Sequence, residues 1–213
     1  LCNRLWEEAL PIVKEALELA VAQGLALWKA SATAHLGACL LYTGRVEEGI
    51  KHLEEGFEGF IGTGGRCAVG LYMNWIADGH RQLKNYEKAN DWIERSIRWC
   101  SEYHQQNHVL SDSYRISALI RAAIHESSAN SNASQDATQV DELFQKSIEI
   151  AQSQSALSWE LRSRLDWSKY LQARGREDNG IQELNALLSK MDQGNSSLDW
   201  LDAKAWLASV NSH

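Results

Sequence analysis

The chain has 213 residues, of which 44% are hydrophobic and 23% are charged, and its net charge is −7. This is the composition of an ordinary soluble protein, and the negative charge disfavours a general nucleic-acid surface while leaving room for a local basic patch. No apolar run approaches the roughly 20 residues that span a bilayer, and no signal peptide precedes the first helical pattern, so the sequence predicts a cytoplasmic protein with no membrane partner.

The first predicted element is a helix from about Leu5 to Ala22. The chain begins at Leu1 instead of a methionine, and the helical pattern starts almost at once, so we expect a piece of a longer protein. Pro11 lies inside the pattern, where an interior proline costs about 3 kcal/mol. Two alternatives stay open: the helix begins near Leu10 with Pro11 in its first turn, or the helix is kinked.

A helix-turn-helix hairpin follows, and it is clearest between Thr33 and Gly56. Apolar residues recur at helical spacing before Gly44, and a second periodic run starts at Val46. This spacing is typical of one face of a helix. Gly44 interrupts the pattern, because glycine readily takes the left-handed conformation that ends a helix.

The hairpin recurs along the chain. Residues that follow the polar pair of each turn are spaced by 40, 40, 51 and 40 positions, namely Ala9, Gly49, Ala89, Val140 and Gly180. Two apolar columns keep the same spacing, namely Val13, Leu53, Ile93, Phe144 and Leu184, and one turn later Leu17, Phe57, Ile97, Ile148 and Leu188. The 11 additional residues fall at an insert, 127–136, that has no large apolar residue. This insert is predicted to be a mobile loop.

A single hairpin leaves an apolar face in water, and stacking on its neighbours buries that face. The sequence therefore predicts an all-α fold, a right-handed α-solenoid of about ten helices with a period of 40 residues and one inserted loop. Its predicted parts are a half repeat at 1–24, hairpins at 25–65, 66–106, 107–155 and 156–193, and a capping helix at 197–211.

The hairpins resemble tetratricopeptide repeats. Residues that resemble the family's pattern are Leu36-Gly37, Gly44, Gly49 and Leu53 in one copy, and Met73, Ile76-Ala77, Tyr86-Glu87-Lys88-Ala89 and Ile93 in the next. The period of 40 exceeds the 34 residues usual in that family, which suggests that each helix is about one turn longer. The likeness covers nearly the whole chain.

The C-terminal part is similar to a narrower group, the repeat regions of large bacterial signal-transduction ATPases and adenylate-cyclase-type regulators. The similar segments are residues 151–162, Gly175-Arg176, and Ser197-Leu198-Asp199 with Ala203 and Leu207. In that group the resemblance implies a sensor or docking region, with ATP hydrolysis housed in another domain.

The motifs that would indicate catalysis or metal binding are weak. Gly62-Thr63-Gly64-Gly65-Arg66 lacks the lysine of a phosphate loop and follows a helix instead of a strand, so a linker between helices is favoured. Cys100, His104 and His108 would share a face of one continuous helix and could then hold zinc, but the polar run between them indicates that the helix ends first. We therefore predict no enzyme, no cofactor and no metal site; an all-helical enzyme would need a convergent site that the sequence does not display.

The four cysteines are Cys2, Cys39, Cys67 and Cys100, and they show no paired spacing. A disulfide framework would require such spacing. The sequence therefore predicts free, buried thiols in a reducing compartment.

First helices line the concave face of such a scaffold, and the repeat register selects candidate partner-binding residues on it. These are Asn74, Asp78, Arg81, Gln82, Tyr114, Arg121, Arg162 and Lys169. Arg81, Arg121, Arg162 and Lys169 could form a basic stripe that attracts a carboxylate or phosphate. The alternative is a solvated face with local salt bridges, for example from Asp78 to Arg81 or Gln82.

We therefore expect a non-catalytic interaction or sensor module of a larger bacterial signalling regulator. Its concave face would bind a protein or peptide, including the parent protein's own ATPase domain. The alternative is a small anionic effector bound by the same residues. A pocket of roughly 300–1,000 Å³ would favour the small ligand, and an open trough would favour a chain.

Overall fold

The computed structural model describes residues 4–102, 108–127, 133–176, 178–191 and 197–210. Within these ranges the chain forms ten α-helices and no strand, which confirms the all-α prediction. The helices are α1 (Trp6–Ala22), α2 (Ala26–Tyr42), α3 (Val46–Gly62), α4 (Val69–Gln82), α5 (Tyr86–Glu102), α6 (Leu110–Ser127), α7 (Ala133–Ser153), α8 (Leu157–Gln172), α9 (Asp178–Lys190) and α10 (Leu198–Val210).

The segment around Pro11 and the C-terminal part of the insert at 127–136 are both helical. Helix α1 runs from Trp6 with Pro11 inside it, so the helix does not begin at Leu10. Helix α7 begins at Ala133, within the insert expected to be a loop. The predicted loop is therefore too long at its C-terminal end, and residues 128–132 lie outside the described part of the chain.

Most of the turns between consecutive helices share one backbone geometry. In the turn after α2, Gly44 has a φ of 92°, and the amide of Arg45 donates to the Leu40 carbonyl five residues earlier over 2.9 Å. This is the hydrogen bond that closes a Schellman-type helix end. Left-handed residues at the ends of described helices are Gly24, Gly44, Gly64, Lys84, Ser155 and Gly175.

Each helix packs on the next one along the chain, and the even-numbered helices also pack on each other. We call α2, α4, α6, α8 and α10 the inner row. Contacts join α2 to α4, α4 to α6, α6 to α8 and α8 to α10, whereas no comparable contact joins two odd-numbered helices in the described ranges. The first helices of the hairpins thus form a continuous row.

The repeat columns form the core between the two rows. Leu53, Ile93, Phe144 and Leu184 are each fully buried, at 0% exposure. Val13, the first member of the same column, is only half-buried, because α1 has one neighbouring helix, α2, among those described. Burial of this column accounts for the periodicity that the sequence displays.

The described cysteines differ in their exposure. Cys39 and Cys100 are free and buried, whereas Cys67 is free and exposed, contrary to the prediction of a buried thiol, and Cys2 lies outside the described residues. Cys67 lies in the α3–α4 linker, where no helix covers it. None of the described helices combines the length and the apolar character needed to cross a bilayer.

Candidate functional site

The inner row and the start of the chain line an open cavity of about 460 Å³, which we call the inner cavity. Its lining residues are Arg4, Trp6, Tyr42, Leu71, Trp75, Asp78, Arg81, Asp112, Arg115, Leu119, Trp159, Arg162, Leu165, Asp166, Lys169, Asp199 and Asp202. Every inner helix contributes to it, and Arg4 and Trp6 approach from the beginning of α1.

Arginine–aspartate pairs join the inner helices around this cavity. Arg115 on α6 lies 2.7 Å from Asp112 on its own helix and 2.7 Å from Asp166 on α8. Arg81 on α4 lies 2.8 Å from Asp78 one turn earlier. Charge-assisted pairs of this kind fix the orientation of both side chains. The charged side chains of the lining are therefore fixed in orientation by their ion pairs before any ligand binds.

A second group of pairs joins the beginning of the chain to its last described helix. The Nη1 atom of Arg4 lies 3.3 Å from Asp199 and 2.5 Å from Asp202, both on α10. Asp199 is also contacted by Arg162 on α8 over 2.8 Å. We call the Arg4 contacts with Asp199 and Asp202 the Arg4 clasp. It closes one side of the cavity by connecting elements 195 residues apart in sequence.

Aromatic side chains form one wall of the cavity. Trp6 stacks on Tyr42 with ring centroids 4.5 Å apart and planes 20° apart, and it meets Trp75 edge-on at 6.0 Å. Across the cavity, the guanidinium carbon of Arg162 lies 4.6 Å from the centre of the Trp159 ring. Such rings offer flat apolar surface to a ligand, so the cavity combines aromatic and charged chemistry.

Two half-buried groups of the cavity have pKa values that keep them in one protonation state. The pKa of Tyr42 is well above its ordinary value, first because of desolvation and then because of the charges of Asp78 and Asp112. Desolvation lowers the pKa of Arg115, but the negative charges of Asp112, Asp166 and Asp78 outweigh it and raise that pKa well above its ordinary value. At neutral pH Tyr42 is therefore a hydroxyl donor and Arg115 a fixed cation.

Lys169 differs from the other cations of the cavity. Arg4, Arg81, Arg115 and Arg162 each lie within 4.0 Å of an aspartate, whereas Lys169 makes no such contact with any carboxylate in the described ranges. The lining has five cations and five carboxylates. Their formal charges therefore balance, and Lys169 is the cation of the lining that has no carboxylate within 4.0 Å among the described residues.

The structure brings together four of the eight residues that the sequence selects. Asp78, Arg81, Arg162 and Lys169 all line the inner cavity. Gln82 is exposed beside it and donates to Asp78 over 3.1 Å. The remaining three, Asn74, Tyr114 and Arg121, are absent from the lining described here.

Asn74 is fully buried between helices and accepts hydrogen bonds from Ser96 over 2.6 Å and Ser113 over 2.9 Å. This is an interhelical packing role, so Asn74 is not presented to a ligand in this structure. Tyr114 and Arg121 are half-buried on α6. The basic stripe also differs from expectation. Arg81 pairs with Asp78 on its own helix, which is the local salt bridge of the alternative, and Arg162 pairs with Asp199 on α10.

Sequence reasoning missed one column of inner-row residues, of which three line the cavity. His35, Trp75, Arg115 and Asp166 occupy equivalent repeat positions, spaced by 40, 40 and 51 residues. Two pairs of neighbours in this column contact each other: the rings of His35 and Trp75 lie 5.6 Å apart, and Arg115 pairs with Asp166. Aromatic, basic and acidic residues at one repeat position are a signal that could have identified this column.

The two weak motifs can be placed. The glycine-rich stretch at 62–66 joins the end of α3 to the segment before α4, as a helix linker. Cys100 lies in α5, which ends at Glu102, and His104 lies outside the described residues. Within the described ranges, no three His, Cys, Asp or Glu side chains are grouped as a metal site would require.

Comparison of the chain with protein-family models gives no match, and comparison with curated proteins gives no relative. The function is therefore inferred from the inner cavity.

Proposed function

We propose that the chain is a non-catalytic sensor module and that its inner cavity binds a compact organic anion. The observation that carries this proposal is Lys169, which lines a cavity of about 460 Å³ and has no carboxylate within 4.0 Å among the described residues. A volume between roughly 300 and 1,000 Å³ is typical of small-molecule sites. An anion bound here would pair with Lys169 and lay its apolar part on the tryptophan and tyrosine rings.

The proposed role is binding and not chemistry. The described aspartates of the cavity each accept from an arginine, which holds them as charged partners and leaves them poorly suited to act as a general base. Burial raises the pKa of the Cys39 thiol and of the Cys100 thiol. Both thiols are therefore weak nucleophiles at neutral pH.

The arrangement proposed for the helices is a right-handed, tetratricopeptide-like α-solenoid within a larger bacterial signalling regulator. Contacts along the inner row support the stacked order of the hairpins. The regulator assignment depends on the resemblance of the C-terminal segments alone. In such a protein, ligand binding would order the inner row and so affect a neighbouring domain.

A protein partner is the second candidate for the same site. Lys169 is exposed, and the Asp202 side chain is 46% exposed at the rim of the cavity. A segment of a partner, or of an ATPase domain in the same protein, could therefore reach the charged rim with its own carboxylate.

The experiment is thermal unfolding of the chain against a panel of organic carboxylates and phosphates. A ligand at a hundred times its dissociation constant stabilises the folded state by about 2.7 kcal/mol, which is a readily measured shift. We expect at least one anion to raise the melting temperature. In Lys169→Ala, the affinity for that anion should fall about tenfold, because a charge-assisted hydrogen bond is lost.

Lys88→Ala is the matched control, since it removes the same charge from the exposed surface of α5. This variant should bind the anion as the parent chain does. An anion that binds Lys169→Ala and the parent equally would contradict the proposed site. If no anion changes the melting temperature, the small-ligand proposal fails and the protein-partner candidate takes its place.

A further inference from the structure

A second cavity lies between α3 and α5, away from the inner cavity. Its volume is about 360 Å³, and the two cavities share no lining residue in the described part of the chain. Helix α4 contacts both α3 and α5, and it forms the floor with Val69 and Met73, which are buried. Phe57 and Ile61 of α3 form one wall, and Trp99 of α5 lies in the other. We call this mainly apolar cavity the outer groove.

Two arginines of α5 line the same groove. Arg95 is half-buried and already engaged, because its guanidinium carbon lies 4.1 Å from the centre of the Trp92 ring and its Nη1 atom lies 3.6 Å from Asp91. Arg98 is exposed and has no carboxylate within 4.0 Å among the described residues. A negative group that enters the groove would therefore pair with Arg98, beside the apolar walls.

The arginine at position 98 is peculiar to α5. The other second helices of the repeat carry acidic or small polar residues at the equivalent position, namely Glu18, Glu58, Glu149 and Ser189. The walls change as well, since Ser101 takes the place of Ile61 in the next groove, between α5 and α7. Stacking of the hairpins does not require an arginine here, because the other helices stack without one. Arg98 therefore distinguishes this groove from its neighbours.

The dimensions and charges of the groove favour a short ligand with one negative group. The α5 wall from Arg95 to Glu102 is about 10 Å long, at about 1.5 Å per helical residue. The volume of about 360 Å³ lies in the range typical of small-molecule sites. Glu102 lines the groove one turn after Arg98, and its carboxylate would repel a second negative charge on the ligand.

We infer that the outer groove binds a monocarboxylate with a short alkyl or aryl chain. The carboxylate accepts hydrogen bonds from the Arg98 guanidinium, which is the pairing that arginine geometry favours. The apolar chain lies between Ile61 and Trp99 and is removed from water there. This site is separate from the one proposed around Lys169, so either can fail without the other.

The test is isothermal titration calorimetry of the chain with octanoate and with octanol, its uncharged analogue. Octanoate should bind about three- to fivefold more tightly than octanol, because an exposed ion pair contributes about that much. In Arg98→Glu the affinity for octanoate should fall about tenfold, since attraction is replaced by repulsion, while the affinity for octanol stays the same. Glutamate already occupies this position in α1, α3 and α7, so the variant should fold normally.

A second variant tests the apolar wall. Ile61→Ser installs the residue that the next repeat carries at this position, and it should weaken octanoate and octanol alike by about fivefold, because apolar contact is lost.

Lys169→Ala is the control, since Lys169 lies in the inner cavity and not in the outer groove, and it should bind octanoate as the parent does. The inference is overturned if the parent binds no octanoate at millimolar concentration or binds octanol equally well. It is also overturned if the affinity for octanoate is unchanged in Arg98→Glu or Ile61→Ser, or falls in Lys169→Ala.

Discussion

At the scale of the residue, the turns between helices contain positions where glycine would be preferred but is not present. Lys84 has a φ of 58° and Ser155 a φ of 54°, at positions equivalent to Gly24, Gly44, Gly64 and Gly175. A left-handed conformation costs a residue with a side chain about 1–2 kcal/mol. Most of the turns avoid this cost by using glycine, and two do not.

Lys84→Gly should therefore stabilise the protein by about 1 kcal/mol, because the left-handed strain is relieved. The measurement is the free energy of unfolding in urea. Lys88→Gly, the same substitution four residues later in α5, is the control and should be destabilising by about 0.5–1 kcal/mol. If Lys84→Gly lowered the free energy of unfolding as Lys88→Gly does, the left-handed conformation of Lys84 would not be a source of strain.

At the scale of the element, α2 and α3 pack more closely than helices usually do. A Cβ atom at Gly37 would lie 2.5 Å from the Leu53 nitrogen, and one at Gly49 would lie 2.5 Å from the Leu41 nitrogen. Together with the contact at Gly56, these distances show that the two backbones touch. The repeat pattern is clearest in this hairpin because a larger residue at these glycine positions would collide with the backbone of the other helix.

Gly56→Ala should lower the free energy of unfolding by about 2–3 kcal/mol, since overpacking that displaces backbone is costly. Gly62→Ala is the control in the same helix, because a Cβ atom there meets nothing within 4 Å. That variant should be neutral or slightly stabilising, as alanine favours helix over glycine. Equal melting temperatures for the two variants would show that α2 and α3 can separate at little cost.

The sequence predicted the helices well and the cavity residues only in part. Spacing of 40 residues identifies equivalent helices, and burial of Leu53 and Ile93 follows from it. One residue along a helix rotates a side chain by about 100°, so an error of one position replaces Trp75 by Asn74 and Arg115 by Tyr114. The hydrophobic periodicity cannot correct that error. It assigns the polar Asn74 to the exposed face, whereas Asn74 is buried and its side chain accepts hydrogen bonds from two serines.

At the scale of the whole molecule, the Arg4 clasp connects the beginning of the chain to α10. The clasp depends on long-range contacts, and no local pattern in the sequence indicates it. Among the described residues, Asp202 has a cation within 4.0 Å only in Arg4, whereas Asp199 pairs with both Arg4 and Arg162. Apart from the clasp, α10 is held by the pair of Asp199 with Arg162 on α8 and by its packing on α8 and α9.

Arg4→Ala should loosen α10 without unfolding the chain. The Arg4 and Asp202 side chains are 39% and 46% exposed, and pairs of this kind contribute about 0.2–1 kcal/mol, so amide hydrogens of α10 should exchange about two- to fivefold faster. Arg45→Ala is the matched control, because Arg45 pairs with Glu48 at the start of α3 and should leave α10 unchanged. Salt should reproduce the effect of Arg4→Ala in the parent chain, since exposed pairs are screened. If exchange in α10 were the same in all of these samples, the contacts of α10 with α8 and α9 would hold the helix without Arg4, and this side of the cavity would not depend on the clasp.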